Sequence, residues 1–344
     1  MNVLVTGGAG YLGSLILPKL LIRGHKIRLL DIGYFGVEHL RFLFNKIEFI
    51  REDIRRTYKD SQFRQEVVRD IDCIIHLAAI SNDPSAELYP ELTEEVNIKS
   101  TAALAEIAKE KKIKFIFSSS CSVYGQKDGI ATETSSLKPL TLYAISKVKC
   151  EEILNQLSTS YWKPLTLRNG TLFGYSPRMR FDLVINIFSL YATLYNEIRV
   201  FGEGKQWRPF LHVDDCAQAF VYFSEKNDLK YNCYNIAWEN FQIKEVINIF
   251  KQIKPSINVL YTSELSADER DYRVSLERMK EEDFLPKIDV KTGAQEIMEA
   301  IITGLIPDPE AIYYRNAKWL KELTHLGKKD HKELLNLMEM LKRI

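Results

Sequence analysis

The chain has 344 residues and a formal net charge of +1, with 46% hydrophobic and 27% charged residues. This length is enough for one or two domains with large cores, and the composition excludes a disordered chain. Because acidic and basic residues balance, no global field attracts nucleic acid or a membrane surface, and we expect neither as a partner.

Cysteine and histidine usage argues for a reducing compartment and against a metal site. The cysteines have no paired spacing and their number is odd: Cys73, Cys121, Cys150, Cys216 and Cys233. Such cysteines are typical of reduced core positions. Since the six histidines form no cluster with them, no metal is expected. The chain starts as a strand, not a leader, and has no apolar run near the roughly 18 residues of a membrane span, so we expect a cytoplasmic protein.

The first thirteen residues read as a strand, a glycine turn and the start of a helix. Asn2–Thr6 is β-branched and apolar, Gly7, Gly10 and Gly13 follow three residues apart, and Tyr11–Arg23 has helical periodicity. Glycines let the backbone approach a ligand closely, and a helix N-terminus offers free N–H groups to a pyrophosphate. The segment therefore predicts a dinucleotide site, the alternative being a glycine-rich turn without a ligand.

An acidic residue ends the second predicted strand, Lys26–Asp31. A carboxylate here is placed to accept the adenosine ribose hydroxyls, and it repels the 2′-phosphate of NADP. No arginine directly follows Asp31, so we predict NAD, although Arg28 and Arg41 leave NADP open.

Strands then alternate with helices. Further strands are predicted at Ile47–Ile50, Ile71–His76, Lys114–Phe117 and Leu165–Arg168, and long helices at Leu92–Lys112, Leu142–Ser160 and Leu183–Tyr195. This alternation predicts a right-handed, doubly wound parallel α/β sheet.

Several strand ends carry residues suited to a ligand. Asp53 follows the third strand and either faces the adenine or is a solvated loop residue. His76 ends the fourth strand and is interpreted as a packed core histidine, whereas the small residues after it let a ligand lie against the backbone. Hydroxyls crowd the end of the fifth strand, from Ser118 to Ser122, and suggest contacts to a polar ligand.

Tyr143 and Lys147 lie four residues apart, one turn along the same helix face. A nearby ammonium stabilises the phenolate, which lets a tyrosine act as a base. This spacing also occurs by chance. It indicates a catalytic tyrosine here because a predicted dinucleotide-binding half precedes it.

The order of these motifs resembles the extended short-chain dehydrogenase/reductase family and, within it, the NAD-dependent nucleotide-sugar epimerase/dehydratase branch. The likeness runs from Val3 to about Ser275. It rests on TGGAGYLG, Asp31, Asp53-Ile54, His76-Leu77-Ala78-Ala79, Asn97, Ser118-Ser119-Ser120-x-x-Val123-Tyr124-Gly125 and Tyr143-x-x-x-Lys147. The resemblance implies a Rossmann-type domain with a smaller C-terminal α/β part for the substrate.

The resemblance also implies residue roles. Ser120 would bond the reacting sugar oxygen, Tyr143 would be the general acid/base, and Lys147 would hold the nicotinamide ribose and lower the pKa of Tyr143. The implied NAD-binding residues are Gly7, Gly10, Tyr11, Leu12, Gly13, Asp31, Ile32, Asp53, Ile54, Leu77, Ala78, Ala79, Asn97, Ser118, Tyr143 and Lys147. The helices Leu92–Lys112 and Leu142–Ser160 resemble those of the family's homodimer interface.

The reaction is narrowed by Cys121 and Ser122, where the family's 4,6-dehydratases carry Asp-Glu. Elimination needs an added acid and base, so it is disfavoured. Our first hypothesis is a nucleotide-sugar 4-epimerase, which oxidises a hydroxyl transiently and returns the hydride. The alternatives are a nucleotide-sugar dehydrogenase or 4-ketoreductase with net NAD(H) turnover and, from another class, a non-catalytic dinucleotide-binding protein. Because Ser120, Tyr143 and Lys147 are all present, the last is disfavoured.

The second half supplies residues for an anionic substrate. Guanidinium groups bind diphosphates bidentately. By resemblance or by position, the substrate-binding residues are Ser120, Thr171, Arg178, Arg180, Arg208 and Arg270. Solvated arginines are the alternative for the first pair, Arg178 and Arg180. Thr171 stands where many relatives have an asparagine.

We divide the chain into an NAD-binding domain (1–165), a mainly sugar-nucleotide-binding part with some strands returning to the first sheet (166–305) and a helical extension (306–344). In the extension, 316–344 has the pattern of amphipathic helices and is interpreted as packing or subunit contact, not catalysis. Its apolar positions are Trp319, Leu320, Leu323, Leu334, Leu337, Met338 and Leu341.

Overall fold

The structure is a computed structural model that describes residues 1–262 and 270–326. The predicted apolar positions Leu334, Leu337, Met338 and Leu341 lie outside these residues. In the described ranges the strands are β1 (Asn2–Thr6), β2 (Lys26–Asp31), β3 (Glu48–Arg51), β4 (Cys73–His76), β5 (Lys114–Ser120), β6 (Gln126–Ala131), β7 (Leu165–Asn169), β8 (Thr171–Phe173), β9 (Glu197–Phe201), β10 (Trp207–His212), β11 (Cys233–Ile236), β12 (Glu239–Gln242), β13 (Asn258–Thr262) and β14 (Asp271–Val274).

The helices of the same ranges alternate with these strands. They are α1 (Gly13–Ile22), α2 (Arg56–Lys59), α3 (Ser61–Val67), α4 (Asp83–Leu88), α5 (Pro90–Thr93), α6 (Ser100–Glu110), α7 (Leu142–Leu157), α8 (Val184–Leu194), α9 (Val213–Glu225), α10 (Ile243–Ile253), α11 (Glu277–Glu281), α12 (Val290–Ile302) and α13 (Asn316–Leu326).

Seven parallel strands form the main sheet, in the order β11-β7-β5-β4-β1-β2-β3. The predicted doubly wound parallel sheet is confirmed. The chain moves outward from β1 to β2 and β3, and then returns to the other side of β1 as β4. Such a reversal opens a crevice at the carboxyl ends of the two central strands, where ligands of this architecture bind.

Alternating residues of β1 supply the cores on the two faces of the sheet. Val3 and Val5 pack in one cluster with Leu17 of α1, whereas Leu4 packs in a second cluster with Leu104 of α6. Burial on both faces explains why the predicted strands are continuous apolar runs instead of alternating ones.

The predicted helix Leu92–Lys112 has a more complex form. The helical path starts at α5, passes through a π-helical segment, Glu94–Lys99, and continues as α6. Apolar periodicity cannot reveal such a bulge, because the residues on either side keep their core-facing positions.

The predicted boundary at residue 165 does not separate two sheets. Strand β7 begins at this residue, β11 comes after it, and both join the main sheet, while β12, β10 and β8 form a separate three-stranded sheet. A parallel pair of β6 and β14 ties the first half to the residues after 270. The substrate part is therefore interleaved with the dinucleotide half.

His76 is a core residue, as the sequence suggested. It ends β4 with 1% of its surface exposed and hydrogen-bonds the hydroxyls of Thr6 (2.7 Å) and Thr101 (2.8 Å). Burial, and to a smaller extent Lys147, lowers the pKa of His76 from 6.5 to about 3.

We expect this histidine to make folding sensitive to acid. Between pH 6.5 and about 3, His76 is protonated in the unfolded chain but neutral in the folded protein. The free energy of unfolding therefore has its full value with respect to His76 above pH 6.5 and decreases on acidification below it. Lowering the pH from 7 to 5 should cost about 2 kcal/mol of the free energy of unfolding through this residue. Urea denaturation of the wild type and His76→Gln at both pH values measures it, and equal pH dependence of the two proteins would contradict it.

Candidate active site

A cleft of about 1100 Å³ lies at the carboxyl edge of the main sheet. All but one of the sequence-predicted site residues line it. They are Gly7, Gly10, Tyr11, Leu12, Gly13, Asp31, Ile32, Asp53, Ile54, Leu77, Ala78, Ala79, Ser118, Ser120, Tyr143, Lys147, Thr171, Arg178, Arg180, Arg208 and Arg270. The fold thus collects residues more than 260 positions apart in one cavity.

Asn97 is the exception. Its side chain is buried behind the cleft, accepts from the backbone N–H of Ile80 (2.8 Å) and donates to Ser146 Oγ (2.9 Å). The prediction that Asn97 touches the cofactor is not supported by this geometry, because its amide is used to join α7 to the loop after β4. It is a positioning residue in this structure.

The glycine turn is shaped by the neighbouring strand. Gly7 has a φ of +73°, and a Cβ built on it would lie 2.6 Å from the backbone nitrogen of Ala78. A side chain would therefore fill the crevice between β1 and β4, where the backbone must stay open to a pyrophosphate. The turn fits a dinucleotide.

Substitutions at Gly7 and Gly24 distinguish the cost of a left-handed backbone from the cost of a steric clash. Gly24, at the end of α1, also has a positive φ (+78°), but a Cβ there meets nothing within 4 Å. Gly24→Ala should cost about 1 to 2 kcal/mol for the left-handed backbone alone. Gly7→Ala should cost about 3 kcal/mol, since the clash adds to that strain, and should also lower NAD binding. Urea denaturation and NAD titration check both variants, and equal losses in the two would refute the crowding argument.

The carboxylate of Asp31 is fixed by backbone donors on both oxygens. It accepts from the N–H groups of Ala9 (2.9 Å) and Gly33 (2.7 Å), which leaves lone pairs for ribose hydroxyls. Burial raises the pKa of Asp31, against the lowering effect of these hydrogen bonds. Arg28 does not lie at this position, since it bonds Glu48 (2.7 Å) and backbone carbonyls of residues 66, 67 and 69.

Two other dinucleotide predictions have competing partners. The carboxylate of Asp53 pairs with Arg55 (2.7 Å) while lining the cleft. The Tyr11 hydroxyl donates to the backbone oxygen of Gly174 (2.6 Å) and accepts from Asn186 (3.0 Å). The Tyr11 side chain therefore anchors the substrate part to the glycine turn.

Ser120, Tyr143 and Lys147 meet where the end of β5 faces the first turns of α7. Thr141 caps α7, and its hydroxyl accepts from the N–H of Ala144 (3.3 Å), so Tyr143 lies in the first turn with its side chain over the sheet edge. Lys147 Nζ donates to the backbone oxygen of Ser118 (2.8 Å) and lies 5.6 Å from the centroid of the Tyr143 ring.

Burial dominates the titration of this group. It raises the pKa of Tyr143 to about 12, an effect that Asp83 reinforces and Arg180, Arg270 and a hydrogen bond with Ser120 oppose. Burial also lowers the pKa of Lys147 to about 8. The expected lowering of the Tyr143 pKa by Lys147 is not seen here, because the ammonium is directed at a backbone carbonyl instead of at the phenol oxygen.

The arginines of the cleft bond groups of the protein itself. Arg178 stacks on Phe35 (3.9 Å to the ring centroid) and donates to Asn316, whose backbone N–H bonds Asp182. Arg180 forms a bidentate pair with Asp182 (2.9 and 3.0 Å). Arg208 donates to the backbone oxygen of Arg270, so those two lie side by side.

Two cleft residues were missed by the sequence reasoning. Asn169 Oδ1 is buried without a hydrogen-bond partner among the described residues, while its amide nitrogen donates to Ser118 Oγ (3.0 Å). Asp83 pairs with Arg270 (3.0 Å) and raises the pKa of Tyr143. Asp83 follows Asn82 at a helix start, a pattern that signals a cap and carries no chemical signature.

Cys121 and Ser122 do not line the cleft. Both are fully buried in the turn after β5, and Cys121 Sγ donates to the backbone oxygen of Arg168. The two positions at which the family's 4,6-dehydratases carry Asp-Glu therefore face the protein interior in this chain.

Comparison with known proteins agrees with this geometry. Residues 3–237 match the model of the NAD dependent epimerase/dehydratase family. The chain belongs to this family. Its cofactor is NAD, and the predicted resemblance and fold are confirmed.

The relatives of this chain are named for more than one reaction. The chain is 28% identical over 280 residues (78% of this chain, 87% of the relative) to an uncharacterized UDP-glucose epimerase of Bacillus subtilis. It is 25% identical over 327 residues (90% and 72%) to UDP-glucuronic acid decarboxylase 1 of Arabidopsis thaliana. The structure of UDP-glucuronic acid 4-epimerase from Bacillus cereus, in complex with UDP-glucuronic acid and NAD, has a TM-score of 0.74 and 26% identity (88% and 99%). The protein is thus an NAD-dependent epimerase/dehydratase family enzyme, and these likenesses do not separate epimerisation from decarboxylation.

The described residues contain neither a membrane-spanning helix nor a cluster of metal ligands. No helix in 1–262 or 270–326 is long and apolar enough to cross a membrane. Within the same ranges, no group of three or more His, Cys, Asp or Glu residues could hold a metal ion.

Proposed function

We propose that the protein is an NAD-dependent nucleotide-sugar 4-epimerase, which oxidises a sugar hydroxyl transiently and returns the hydride to the opposite face. The names of its relatives support a UDP-sugar as substrate. NAD supplies a hydride acceptor that can give the hydride back.

The protein's own residues handle the proton. Burial raises the pKa of Tyr143 to about 12, so forming its phenolate needs added positive charge, which the nicotinamide ring of bound NAD would supply. As phenolate, Tyr143 removes the proton of the C4 hydroxyl, and Ser120 holds the same oxygen by a hydrogen bond. Lys147, whose pKa of about 8 keeps it largely protonated at neutral pH, holds positive charge on the same helix face. After the sugar re-seats in the cleft, Tyr143 returns the proton as the hydride returns to carbon.

The observation that favours an epimerase over a dehydrogenase is the position of α13. Trp319 Nε1 donates to the backbone oxygen of Tyr34 (2.6 Å), and Leu320 and Leu323 are buried in a cluster with Tyr34 and Phe35. This loop follows Asp31, where the adenosine ribose belongs. A helix over that end supports a retained cofactor, which an epimerase regenerates in each cycle and a dehydrogenase must exchange.

Two further hydrogen bonds hold the start of α13. Arg178 donates to Asn316 Oδ1 (2.5 Å), and the Asn316 backbone N–H donates to Asp182 (3.2 Å). Arg315, Asn316, Ala317, Lys318 and Leu320 line the cleft. The segment interpreted from sequence as packing therefore contributes a wall of the site.

The test is incubation of the purified protein with UDP-glucose without added cofactor. We expect the C4 epimer to form with no net change in NADH absorbance, and NAD to be released only when the protein is denatured. Stoichiometric formation of NADH would instead identify a dehydrogenase, or a 4-ketoreductase that runs in reverse on this substrate.

The proposal includes a cytoplasmic homodimer that pairs α6 and α7 across its interface, as the resemblance implies. Light scattering at several protein concentrations checks the oligomeric state. A monomer at all concentrations would contradict this part alone.

A further inference from the structure

Asp83 places a carboxylate beside the proposed catalytic tyrosine. It begins α4, in the loop after β4, and lines the same cleft as Tyr143 and Ser120. Its side chain is 18% exposed, so it is partly shielded from water and its charge is felt strongly at short range.

Two contacts hold this carboxylate in place. Oδ1 accepts from the hydroxyl of Thr141 (2.5 Å), the residue that caps α7 two positions before Tyr143. Oδ2 pairs with Arg270 Nη1 (3.0 Å). Asp83 is thereby fixed to the start of the helix that carries Tyr143.

Asp182, another carboxylate that lines the cleft, already has its counter-charge. Arg180 and Asp182 form a bidentate pair, and Asp182 also accepts from Asn82 (2.6 Å). Arg270 is one of the residues predicted to bind the substrate. If it turns to the substrate diphosphate, the carboxylate of Asp83 loses its counter-charge and keeps only the hydrogen bond from Thr141. A carboxylate only accepts hydrogen bonds, so it suits hydroxyl or ammonium groups and repels a second carboxylate.

We propose that Asp83 is a specificity-determining residue of the sugar site, which selects neutral or amino sugar nucleotides and rejects sugars that carry a carboxylate. The inference rests on the proposed function and adds its substrate class: a hexose or hexosamine nucleotide rather than a uronic acid nucleotide. It distinguishes this chain from relatives whose names contain UDP-glucuronic acid.

The experiment compares UDP-glucose with UDP-glucuronic acid, which differ only at C6. Dissociation constants are measured by calorimetry on the NAD-loaded chain carrying Tyr143→Phe, so that no turnover occurs. We expect UDP-glucose to bind on the order of 10-fold to 100-fold more tightly, the range that one like charge produces in a partly shielded site. Adding Asp83→Asn should reduce that ratio to near one, both by strengthening uronate binding and by weakening glucose binding.

Two further variants test whether the charge of Asp83 causes the preference for UDP-glucose. Asp83→Ser, which preserves a small polar group next to Thr141, should move the ratio in the same direction as Asp83→Asn. Glu91→Gln removes the same charge from an exposed site on α5 and should leave the ratio unchanged. NAD content and the unfolding midpoint verify that each variant is folded.

Equal affinity for the two nucleotides without any change at Asp83 would overturn the inference and leave the proposed function intact. A preference for UDP-glucose that survives both Asp83 variants would overturn it as well, since another residue would then discriminate. Binding of neither nucleotide would overturn the inference together with the proposed function.

Discussion

Tyr143→Phe should lower kcat on the order of 10³-fold, because the variant has no group that can take the proton from the C4 hydroxyl. The phenol lies on α7 beside Ser120, at the end of β5, and the substitution removes one oxygen from a side chain whose ring stays packed. Coupled assays of epimer formation measure kcat and KM. We expect KM for the sugar nucleotide to change much less than kcat, since the lost group acts on the transition state.

Retained cofactor is the second part of this expectation. Tyr143→Phe should hold as much NAD after gel filtration as the wild type, because the glycine turn, Asp31 and α13 are untouched. Tyr58→Phe is the matched control: it also removes a tyrosine hydroxyl, which bonds Glu95 (2.8 Å) outside the cleft. It should leave kcat unchanged. Turnover of Tyr143→Phe at the wild-type rate would remove Tyr143 from its proposed role.

Arg168→Met should have the largest effect on stability. Arg168 and Glu151 form a bidentate pair (Nη2 to Oε2, 2.6 Å) with side chains only 6% and 5% exposed. Removing one partner leaves a buried carboxylate without its counter-charge, which typically costs 3 to 5 kcal/mol of the free energy of unfolding, and we expect about 4 kcal/mol. Urea denaturation measures the change.

The pair also supports the active site from behind. Ser119 donates to Glu151 (2.5 Å), and Ser119 lies on β5 between Ser118 and Ser120, while Glu151 lies one turn after Lys147 on α7. The ion pair thus joins the strand that carries Ser120 to the helix that carries Tyr143. We therefore expect Arg168→Met to lower kcat even at temperatures at which the protein stays folded.

A double variant distinguishes loss of the pair from loss of one charge. Arg168→Met with Glu151→Leu should recover most of the stability, because an apolar pair removes the stranded carboxylate. Arg23→Met breaks the exposed pair with Glu225 (2.5 Å) and should change the stability little. A small effect of Arg168→Met alone, similar to that of Arg23→Met, would contradict the argument.

The main sheet was predictable because its signals are local. Each parallel strand is buried on both faces and reads as a short apolar run, and the helices between the strands keep a one-sided apolar pattern. The glycine turn and Asp31 were predictable for the same reason, since their chemistry depends on neighbours a few residues away or in the next strand. The π-helical segment Glu94–Lys99 was not, because it changes the hydrogen-bond pattern without changing the periodicity.

The substrate end was less predictable, since it is assembled from side chains far apart in the chain. Arg178 was predicted to bind the substrate, and in the structure it lines the cleft and stacks on Phe35. Asn97 was expected at the cofactor, but it bonds Ile80 and Ser146. In both cases the partner of the side chain depends on which distant element packs against it.

The amino-acid sequence by itself determined the sheet and the dinucleotide turn, because each depends on local spacing and burial, and the family resemblance implied the group of Ser120, Tyr143 and Lys147. Only the tertiary structure decided that Asp83 stands beside Tyr143, that α13 covers the loop after Asp31 and that Cys121 and Ser122 face the interior. The reason is physical: a local pattern states which face of an element is apolar, whereas the charges that surround a catalytic group come from loops whose positions are set by packing between elements.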